Sequence, residues 1–527
     1  MKVFSQKLQG LCKRENVLLS ASFSLLTAFL TSDRWTYLLL HRYFDGMGFL
    51  LQTLVIAGLT LICFPFISLL LFLIKKLIAF FLPPGSCAGF FPRPSDPGQT
   101  RILKAVQILA VGILLVFLNC NVLGQIDLFT WKFDSPLNSI RSNVAGNDFR
   151  VGIYRPAKAL TEYFNIYPMR ENDFSPRYPP LVNVYGLPFL LFDENTAYLV
   201  QGILLYLLNI ACVGLSCLLI NKIFFARLKA DAMFIGMLNV ALFILFSLLS
   251  VTSYPFLFSL ERGNYDIVAF FFALLGIWCA ITRPEKVWLQ VLLVSIAFHL
   301  KIYPGLLFAL LLIKHGKKML LPTLVVNLGL LFIIGPQNAF GYLRSFLSSM
   351  GAGNVIGAAT SSSGLTFANG LVSLHPGWAS AETILSRAFT LLPLLLWLVT
   401  LLLLRKQWHT PVGELLIFAA SLPPMITVPS IAYDYKLVII ASCFLVLLAG
   451  WILTRYLQQN PHGAWLSWLF FFVLSALSIR YFDPNYLVPF WINDKYPTML
   501  VAQIFLLVMI LIEKKARSEQ AQLIAEE

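Results

Sequence analysis

The sequence has few charged residues for its length. Asp, Glu, Lys and Arg make up 12% of the 527 residues, whereas hydrophobic residues make up 58%. Soluble domains contain roughly 25% charged residues. Together with a mean hydropathy of +0.78, this shortage of charge excludes an ordinary soluble domain. It predicts an all-α, polytopic membrane protein.

Metal-ligand and disulfide patterns are also missing. None of the eight cysteines belongs to a CxxC motif or to a Cys/His pair with metal-ligand spacing, and most lie in or beside apolar runs. The cysteines therefore indicate neither a disulfide framework nor a zinc site. The net charge of +14 comes from short basic clusters between apolar runs. Such clusters are typical of cytoplasmic loops that follow the positive-inside rule, and we expect no nucleic-acid partner.

Apolar runs divide the chain into candidate membrane spans of about 20 residues. The first run follows Lys13 and Arg14 without a small-residue cleavage site, so it predicts an anchor rather than a removed signal peptide. Because this run is short, an interfacial segment is the alternative. We expect roughly 12–14 transmembrane helices, with short helices in the outside loops. The runs begin near residues 17, 47, 103, 197, 232, 266, 288, 319, 383, 411, 436, 464 and 497.

Lysine and arginine predict the orientation of these spans. Basic segments, expected in the cytoplasm together with both termini, are 2–14, 75–104, 222–229, 283–286, 314–318, 405–406 and 513–517. Segments expected outside are 125–196, 260–266, 338–382, 430–436 and 480–497. The basic segments 283–286 and 314–318 are separated by one apolar stretch of ordinary span length. Placing both in the cytoplasm requires a helical hairpin over 288–313, with "FHLKIYPG" at its tip.

The outside segment 125–196 carries seven Lys/Arg and eight Asp/Glu residues and is rich in proline. Its prolines favour turns and short helices over another span. The stretch "FRVGIYRPAKALTEYF" predicts a surface helix that begins at Pro156, with Asp148 shortly before it. A merely polar loop is the alternative.

Three further stretches are expected to place charged residues near the outer surface of the membrane, at about the depth of segment 125–196. They are "SLERGNYDIVAFFFALLGIW", "IAFHLKIYPGLLF" and "SIAYDYKLVII". The alternatives are, in order, a polar turn with Gly263 at positive φ, a lysine that snorkels to the interface, and an interfacial anchor. Together the three stretches place carboxylates and cations near one leaflet, where Arg and Lys would hold the phosphate of a lipid.

The order of these motifs resembles a known family. "NDF" followed by "PRYPPL" and "GLPF", then "RGNYD", then "LKIYPG", is similar to the pattern of glycosyltransferase family 87 over residues 103–440. The resemblance implies a GT-C architecture and transfer of a mannose-like sugar from a polyprenyl-phosphate donor. It divides the chain into an N-terminal membrane extension (1–100), a catalytic membrane core (101–440) and C-terminal helices with a cytoplasmic tail (441–527).

The resemblance also implies roles for individual residues. Asp148 is expected to act as general base in an inverting reaction on the outer face of a cytoplasmic (inner) membrane. The donor phosphate would be bound by Arg177, Arg262, Lys301, Lys436, Arg155 and Lys158. Sugar or acceptor would be bound by Tyr154, Tyr178, Glu261, Asn264, Asp266, His299, Tyr303 and Asp434. Because the sequence contains no DxD motif, we expect no metal and no cofactor besides the lipid-linked donor.

Two other functional classes remain open. One is a transporter or flippase of a lipid-linked sugar, although only one interrupted hairpin occurs and such proteins usually have two. The other is a lipid-linked glycan ligase or polymerase, although segment 125–196 contains no histidine. The acceptor is expected to be a glycolipid or a cell-envelope polysaccharide, and a glycoprotein is the alternative. The outside segment 338–382 predicts an interfacial helix followed by a lid or linker, and 480–497 predicts a glycan contact or an aromatic belt.

Overall fold

The structure is a computed structural model. It describes residues 49–81, 108–116, 146–163, 165–167, 178–227, 232–350, 362–429, 432–458, 464–479 and 495–526, together with isolated positions between 17 and 28 and at 105. Within these ranges the regular elements are all helical, as the composition predicts.

The helices are numbered in chain order. They are α1 (Phe49–Phe81), α2 (Asn147–Phe149), α3 (Arg155–Glu162), α4 (Pro180–Gly186), α5 (Glu194–Ile223), α6 (Ala232–Val251), α7 (Tyr254–Arg262), α8 (Asp266–Thr282), α9 (Val287–Leu300), α10 (Leu307–His315), α11 (Leu320–Leu331), α12 (Pro336–Met350), α13 (Gly364–Leu374), α14 (Glu382–Leu404), α15 (Pro411–Thr427), α16 (Leu445–Gln458), α17 (Ala464–Ile479) and α18 (Lys495–Glu526). From the run at 197 onward, observed helical segments begin within three residues of the predicted starts. The segment predicted near 436 begins at Asp434 as a 3-10 turn and leads through a π-helical turn (Ile440–Phe444) into α16.

Five of the described helical segments are long and apolar enough to cross a membrane. Two bent helix pairs raise that number to seven if each pair counts as one span, and further apolar helices are shorter. These helices confirm the all-α polytopic membrane architecture. The expected total of 12–14 spans and the three-part domain division stay predictions.

Helix α15 and the segment Asp434–Thr454 form the centre of the bundle. The apolar window in Asp434–Thr454 is 100% buried, and α15 is buried from Val412 to Thr427. A helix that is apolar on every face is buried on every face. By contrast, α5, α11 and α14 leave large apolar side chains exposed, as expected for surfaces that face lipid tails.

The predicted hairpin is present. Helix α9 ends at Leu300, the chain turns at Lys301, and α10 returns after a short 3-10 helix (Tyr303–Leu306). His315 Nε2 lies 2.6 Å from Gln290 Oε1, so the two ends far from the turn are neighbours. Lys314 at this end pairs with Glu414 at the start of α15. Segments 283–286 and 314–318 therefore share one end of the bundle, while the side of the membrane stays a prediction.

The segments expected outside contain short helices, as predicted. The predicted interfacial helix is α12, and α13 follows in the part predicted as a lid or linker. Ser363 caps α13 by accepting a hydrogen bond from the Thr366 N–H, the usual role of serine at a helix N-terminus. Residues 351–361 and 480–494 lie outside the described residues.

Candidate active site

A helical segment that begins at Asn147 carries Asp148. It runs through α2, a π-helical turn (Arg150–Tyr154) and α3. Helix α3 begins at Arg155 with Pro156 in its first turn, and Asp148 lies shortly before it, as the sequence predicts; the helical segment that leads into α3, however, already begins at Asn147. Proline lacks an N–H and clashes with the carbonyl four residues earlier, and the wider π-helical turn directly upstream lets the helix continue through Pro156.

Two glycines with positive φ bring this segment against the turn between α7 and α8. Gly146 has φ 84° and donates its N–H to the Glu261 carbonyl at 2.6 Å. Gly263 ends α7 with φ 64°, which confirms its predicted conformation. A Cβ atom on Gly263 would lie 2.6 Å from Phe149 Cβ, so a larger residue would push the two segments apart.

Asp148 binds two residues of that turn. Its Oδ1 accepts a hydrogen bond from Arg262 Nη2, and its Oδ2 accepts one from Asn264 Nδ2 at 3.0 Å. The side chains of Arg262 and Asp148 are only 16% and 12% exposed. Asn264 in turn accepts a hydrogen bond from the Asp266 N–H at 3.0 Å. Both carboxylate oxygens of Asp148 are thereby held in fixed directions.

A second carboxylate, Asp266, lies beside Lys301. Lys301 Nζ is 3.5 Å from Asp266 Oδ2, and the Asp266 side chain is fully buried. At that distance the pair is ionic but longer than an ordinary hydrogen bond. Neither carboxylate oxygen of Asp266 accepts a hydrogen bond from the residues that the structure describes.

Aromatic rings surround Lys301. Its Nζ lies 4.7 Å from the ring centre of Tyr178 and 4.2 Å from that of Tyr265, within the range of cation–π attraction. Burial raises the pKa of the Tyr178 hydroxyl, although Lys301 opposes that shift. The Tyr178 hydroxyl therefore stays protonated near neutral pH and can donate a hydrogen bond.

Lys436, in the stretch "SIAYDYKLVII", also lies close to Lys301 and Asp266. Its Nζ lies 5.6 Å from the ring centre of Tyr303, and Tyr303 donates its hydroxyl to the Asp266 carbonyl at 3.2 Å. The tertiary structure thus joins four distant stretches of the chain through Asp148, Arg262–Asp266, Lys301–Tyr303 and Lys436. We call these charged side chains and their tyrosines the central cluster.

Other predicted residues contact different groups. Arg155 Nε donates to Glu194 Oε1 at 2.9 Å, Tyr154 donates its hydroxyl to the Phe192 carbonyl at 2.9 Å, and Lys158 is exposed. Arg177, a predicted phosphate ligand, lies outside the described residues. Arg155 and Tyr154 therefore lie beside the start of α5.

The last three predicted residues hold the helices around the site. His299 Nε2 lies 3.1 Å from Asn327 Oδ1 between α9 and α11. Asp434 Oδ1 accepts a hydrogen bond from Ser362 Oγ at 2.7 Å, which ties the turn that carries Lys436 to the start of α13. Glu261 contributes its carbonyl to the Gly146 contact.

Tyr265 and Arg150 are not among the residues singled out from the sequence. Tyr265 is fully buried beneath Lys301, and its place inside "RGNYD" is the only signal that marks it. Arg150, two residues after Asp148 in the sequence, pairs with Glu194 at 3.3 Å. The sequence alone does not distinguish Arg150 from Arg155, which binds the same carboxylate.

A comparison with protein families supports the resemblance. The model of glycosyltransferase family 87 matches residues 177–429. The match includes Arg262, Asp266 and Lys301, but Asp148 and Lys436 lie beyond its two ends. No curated protein and no solved structure matches the chain. The family match, which covers just under half of the chain, and the apolar helices support a membrane glycosyltransferase similar to family 87.

Proposed function

We propose that this membrane glycosyltransferase moves a mannose-like hexose from a polyprenyl-phosphate donor to a glycolipid or cell-envelope polysaccharide. The reaction inverts the anomeric centre, proceeds without a divalent metal and takes place on the outer face of the cytoplasmic membrane, with both termini in the cytoplasm. The observation that carries the proposal is the position of Asp148. Its oriented carboxylate belongs to one cluster with the buried cations Lys301 and Lys436.

The proposed chemical step is a single displacement. An acceptor hydroxyl attacks the anomeric carbon while Asp148 takes its proton. The bond between that carbon and the phosphate oxygen breaks, and its electron pair stays on the phosphate. General-base catalysis by a carboxylate contributes about 10²–10⁴-fold to the rate.

The leaving phosphate needs fixed positive charge in a site shielded from water. Lys301 and Lys436 supply that charge, because both ammonium groups are buried among tyrosine rings. Arg262 orients the base rather than the phosphate, since it contacts Asp148 directly. Tyr178 and Tyr303 provide ring faces for a sugar, and the exposed apolar faces of the surrounding helices suit a polyprenyl chain.

The test compares wild type with Asp148→Asn in nanodiscs, using a radiolabelled polyprenyl-phosphate hexose and a lipid extract as acceptor source. Asparagine keeps the size of the side chain but cannot take a proton. We expect transfer to fall by about 10³-fold, with donor binding retained. The matched control is Asp193→Asn, since Asp193 is an exposed helix-capping residue at the start of α5 and asparagine also caps helices.

Three results would contradict parts of the proposal. Equal transfer by Asp148→Asn and wild type would remove Asp148 from the reaction while leaving the enzyme class intact. Failure of wild type to consume any polyprenyl-phosphate sugar would contradict the donor class and favour transport. Loss of activity in Asp193→Asn as well would point to a general structural effect.

A further inference from the structure

The backbone of Asn264 is held in place by the turn between α7 and α8. Gly263 donates its N–H to the Leu260 carbonyl at 2.9 Å, and Asn264 donates its own N–H to the Ser259 carbonyl at 2.9 Å. These two bonds around a left-handed glycine form the Schellman motif that ends many helices. The Asn264 carbonyl also accepts a hydrogen bond from Ser259 Oγ at 3.1 Å. The start of the Asn264 side chain therefore has a fixed position.

The side-chain amide of Asn264 is bound at both of its ends. Its Oδ1 accepts a hydrogen bond from the Asp266 N–H at 3.0 Å, and its Nδ2 donates one to Asp148 Oδ2 at 3.0 Å. A backbone N–H can only donate, so the amide oxygen must face Asp266 and the NH₂ group must face Asp148. Asn264 is fully buried, which keeps water from competing for either contact.

This contact acts on the Asp148 carboxylate in two ways. Arg262 binds one carboxylate oxygen and Asn264 binds the other, so the carboxylate cannot rotate without losing a hydrogen bond. An N–H donor also favours the ionised form of a carboxyl group over the protonated form. Only the ionised form can take a proton from an acceptor hydroxyl, so both effects serve a general base.

We propose that Asn264 is a positioning residue for the general base, which orients the Asp148 carboxylate and favours its ionised form. Asn264 then acts through Asp148, in place of the direct contact with sugar or acceptor that the family resemblance implies. This role rests on the proposed function, because it takes Asp148 as the base.

Other charged and titratable side chains also face Asp148 from the neighbouring elements. Among the described residues they are Arg262, Lys301, Tyr178, Tyr265, Tyr433 and Tyr435. Asp266 lies next to them, beside Lys301. All of these groups stay the same when only residue 264 is changed. A difference in pH dependence between variants of residue 264 is therefore assigned to that residue.

The decisive variant is Asn264→Asp. Aspartate has the same shape, and one of its oxygens can still accept the hydrogen bond from the Asp266 N–H. Its other oxygen would replace Nδ2 and lie about 3.0 Å from Asp148 Oδ2. Two carboxylates at such a distance share one proton, which is lost only at higher pH.

A second variant, Asn264→Ser, removes the donor without adding a charge. Serine supports the same kind of turn more weakly than asparagine, but its hydroxyl is too short to replace Nδ2. The measurement for both variants is the initial rate of sugar transfer in nanodiscs as a function of pH. The probe is radiolabelled polyprenyl-phosphate mannose at saturating concentration, with a lipid extract as acceptor source.

We expect the acid-side pH of half-maximal rate to rise by about one pH unit or more in Asn264→Asp. The rate of this variant should recover as the pH increases, because the base becomes ionised again. Asn264→Ser should be about tenfold slower than wild type, with a smaller shift in the same direction.

Asn195→Asp is the matched control for the exchange of asparagine by aspartate. Asn195 is exposed near the start of α5, and its Oδ1 accepts a hydrogen bond from Arg150 Nη2 at 2.6 Å. A carboxylate oxygen can accept the same hydrogen bond. This variant should therefore keep the wild-type pH profile.

An unshifted pH of half-maximal rate in both variants of Asn264 would overturn the inference, whatever their rates. A residue that only supports the fold, or one that binds the sugar directly, gives that result. If Asn264→Asp does not fold, Asn264→Ser decides, since a shifted profile supports the role and an unshifted one overturns it. Absence of transfer by wild type at every pH would overturn the proposed function and this role together.

Discussion

Arg262 donates a hydrogen bond to Asp148 across 114 residues of sequence. This pair joins the helical segment that begins at Asn147 to the turn between α7 and α8. Both side chains are largely buried, so water screens their attraction only weakly. The direction in which the Asp148 carboxylate faces therefore depends on a residue that the chain supplies from another helix.

Arg262→Gln should reduce sugar transfer by about 100-fold. Removal of one partner of a buried, hydrogen-bonded charge pair leaves the other charge uncompensated and costs about 2–5 kcal/mol. The carboxylate of Asp148 would then lose its fixed orientation. The measurement is the initial transfer rate in nanodiscs, together with the midpoint of thermal unfolding.

Arg262→Lys is the matched variant for that experiment. Lysine keeps the positive charge but lacks the planar fork of donors that arginine offers a carboxylate. We expect an intermediate rate between those of Arg262→Gln and wild type. A wild-type rate in Arg262→Gln would show that Asp148 does not need Arg262 for its orientation.

Gly152→Ala should lower transfer by at least about tenfold. A Cβ atom at this position in the π-helical turn would lie 2.7 Å from Tyr178 Cε2, so the ring must move. The same ring lies over Lys301, and small displacements of groups that position a reaction have large kinetic effects. The transfer rate and the thermal midpoint are measured in parallel.

Gly202→Ala supplies the control for the glycine prediction. A Cβ atom on Gly202, within α5, would meet nothing within 4 Å. Alanine is favoured over glycine inside a helix by roughly 0.5–1 kcal/mol, so this variant should be active and at least as stable as wild type. Equal activity in Gly152→Ala and Gly202→Ala would contradict the proposed role of the Tyr178 contact.

Lys314→Met should destabilise the protein by about 3 kcal/mol, because it leaves the Glu414 carboxylate buried without its partner. The two side chains are 11% and 6% exposed, and they join the hairpin to α15 at the end opposite the central cluster. Thermal unfolding in one fixed detergent measures the effect. Lys317→Met, an exposed position on the same turn, should change the midpoint little.

The double variant Lys314→Met with Glu414→Leu separates lost charge pairing from lost packing. Replacement of a buried ion pair by apolar side chains is often neutral or stabilising. We therefore expect most of the lost stability to return, with transfer activity preserved. A double variant as unstable as Lys314→Met would mean that the lysine stem, rather than the ion pair, supports the hairpin.

Several features of the fold were predictable because they depend on local composition. Helix starts from residue 197 onward follow from the lengths of apolar runs, which must match the bilayer. The hairpin at Lys301 follows from two basic segments separated by a single apolar stretch. The positive φ of Gly263 follows from a turn too short for a residue with a Cβ. Pro156 correctly predicted the start of α3, but the helical segment from Asn147 that leads into it was not predictable from the proline.

The sequence by itself determined the membrane class, the helical architecture, the similarity to family 87 and most of the charged residues that gather in the central cluster. It could not determine which charged side chains form pairs. The pairing of Asp148 with Arg262, the place of Tyr265 beneath Lys301, and the diversion of Arg155 to Glu194 depend on how the helices pack. These contacts join residues far apart in the chain, and the same residue types would pair differently after a small change in helix position. Only the tertiary structure therefore decided them.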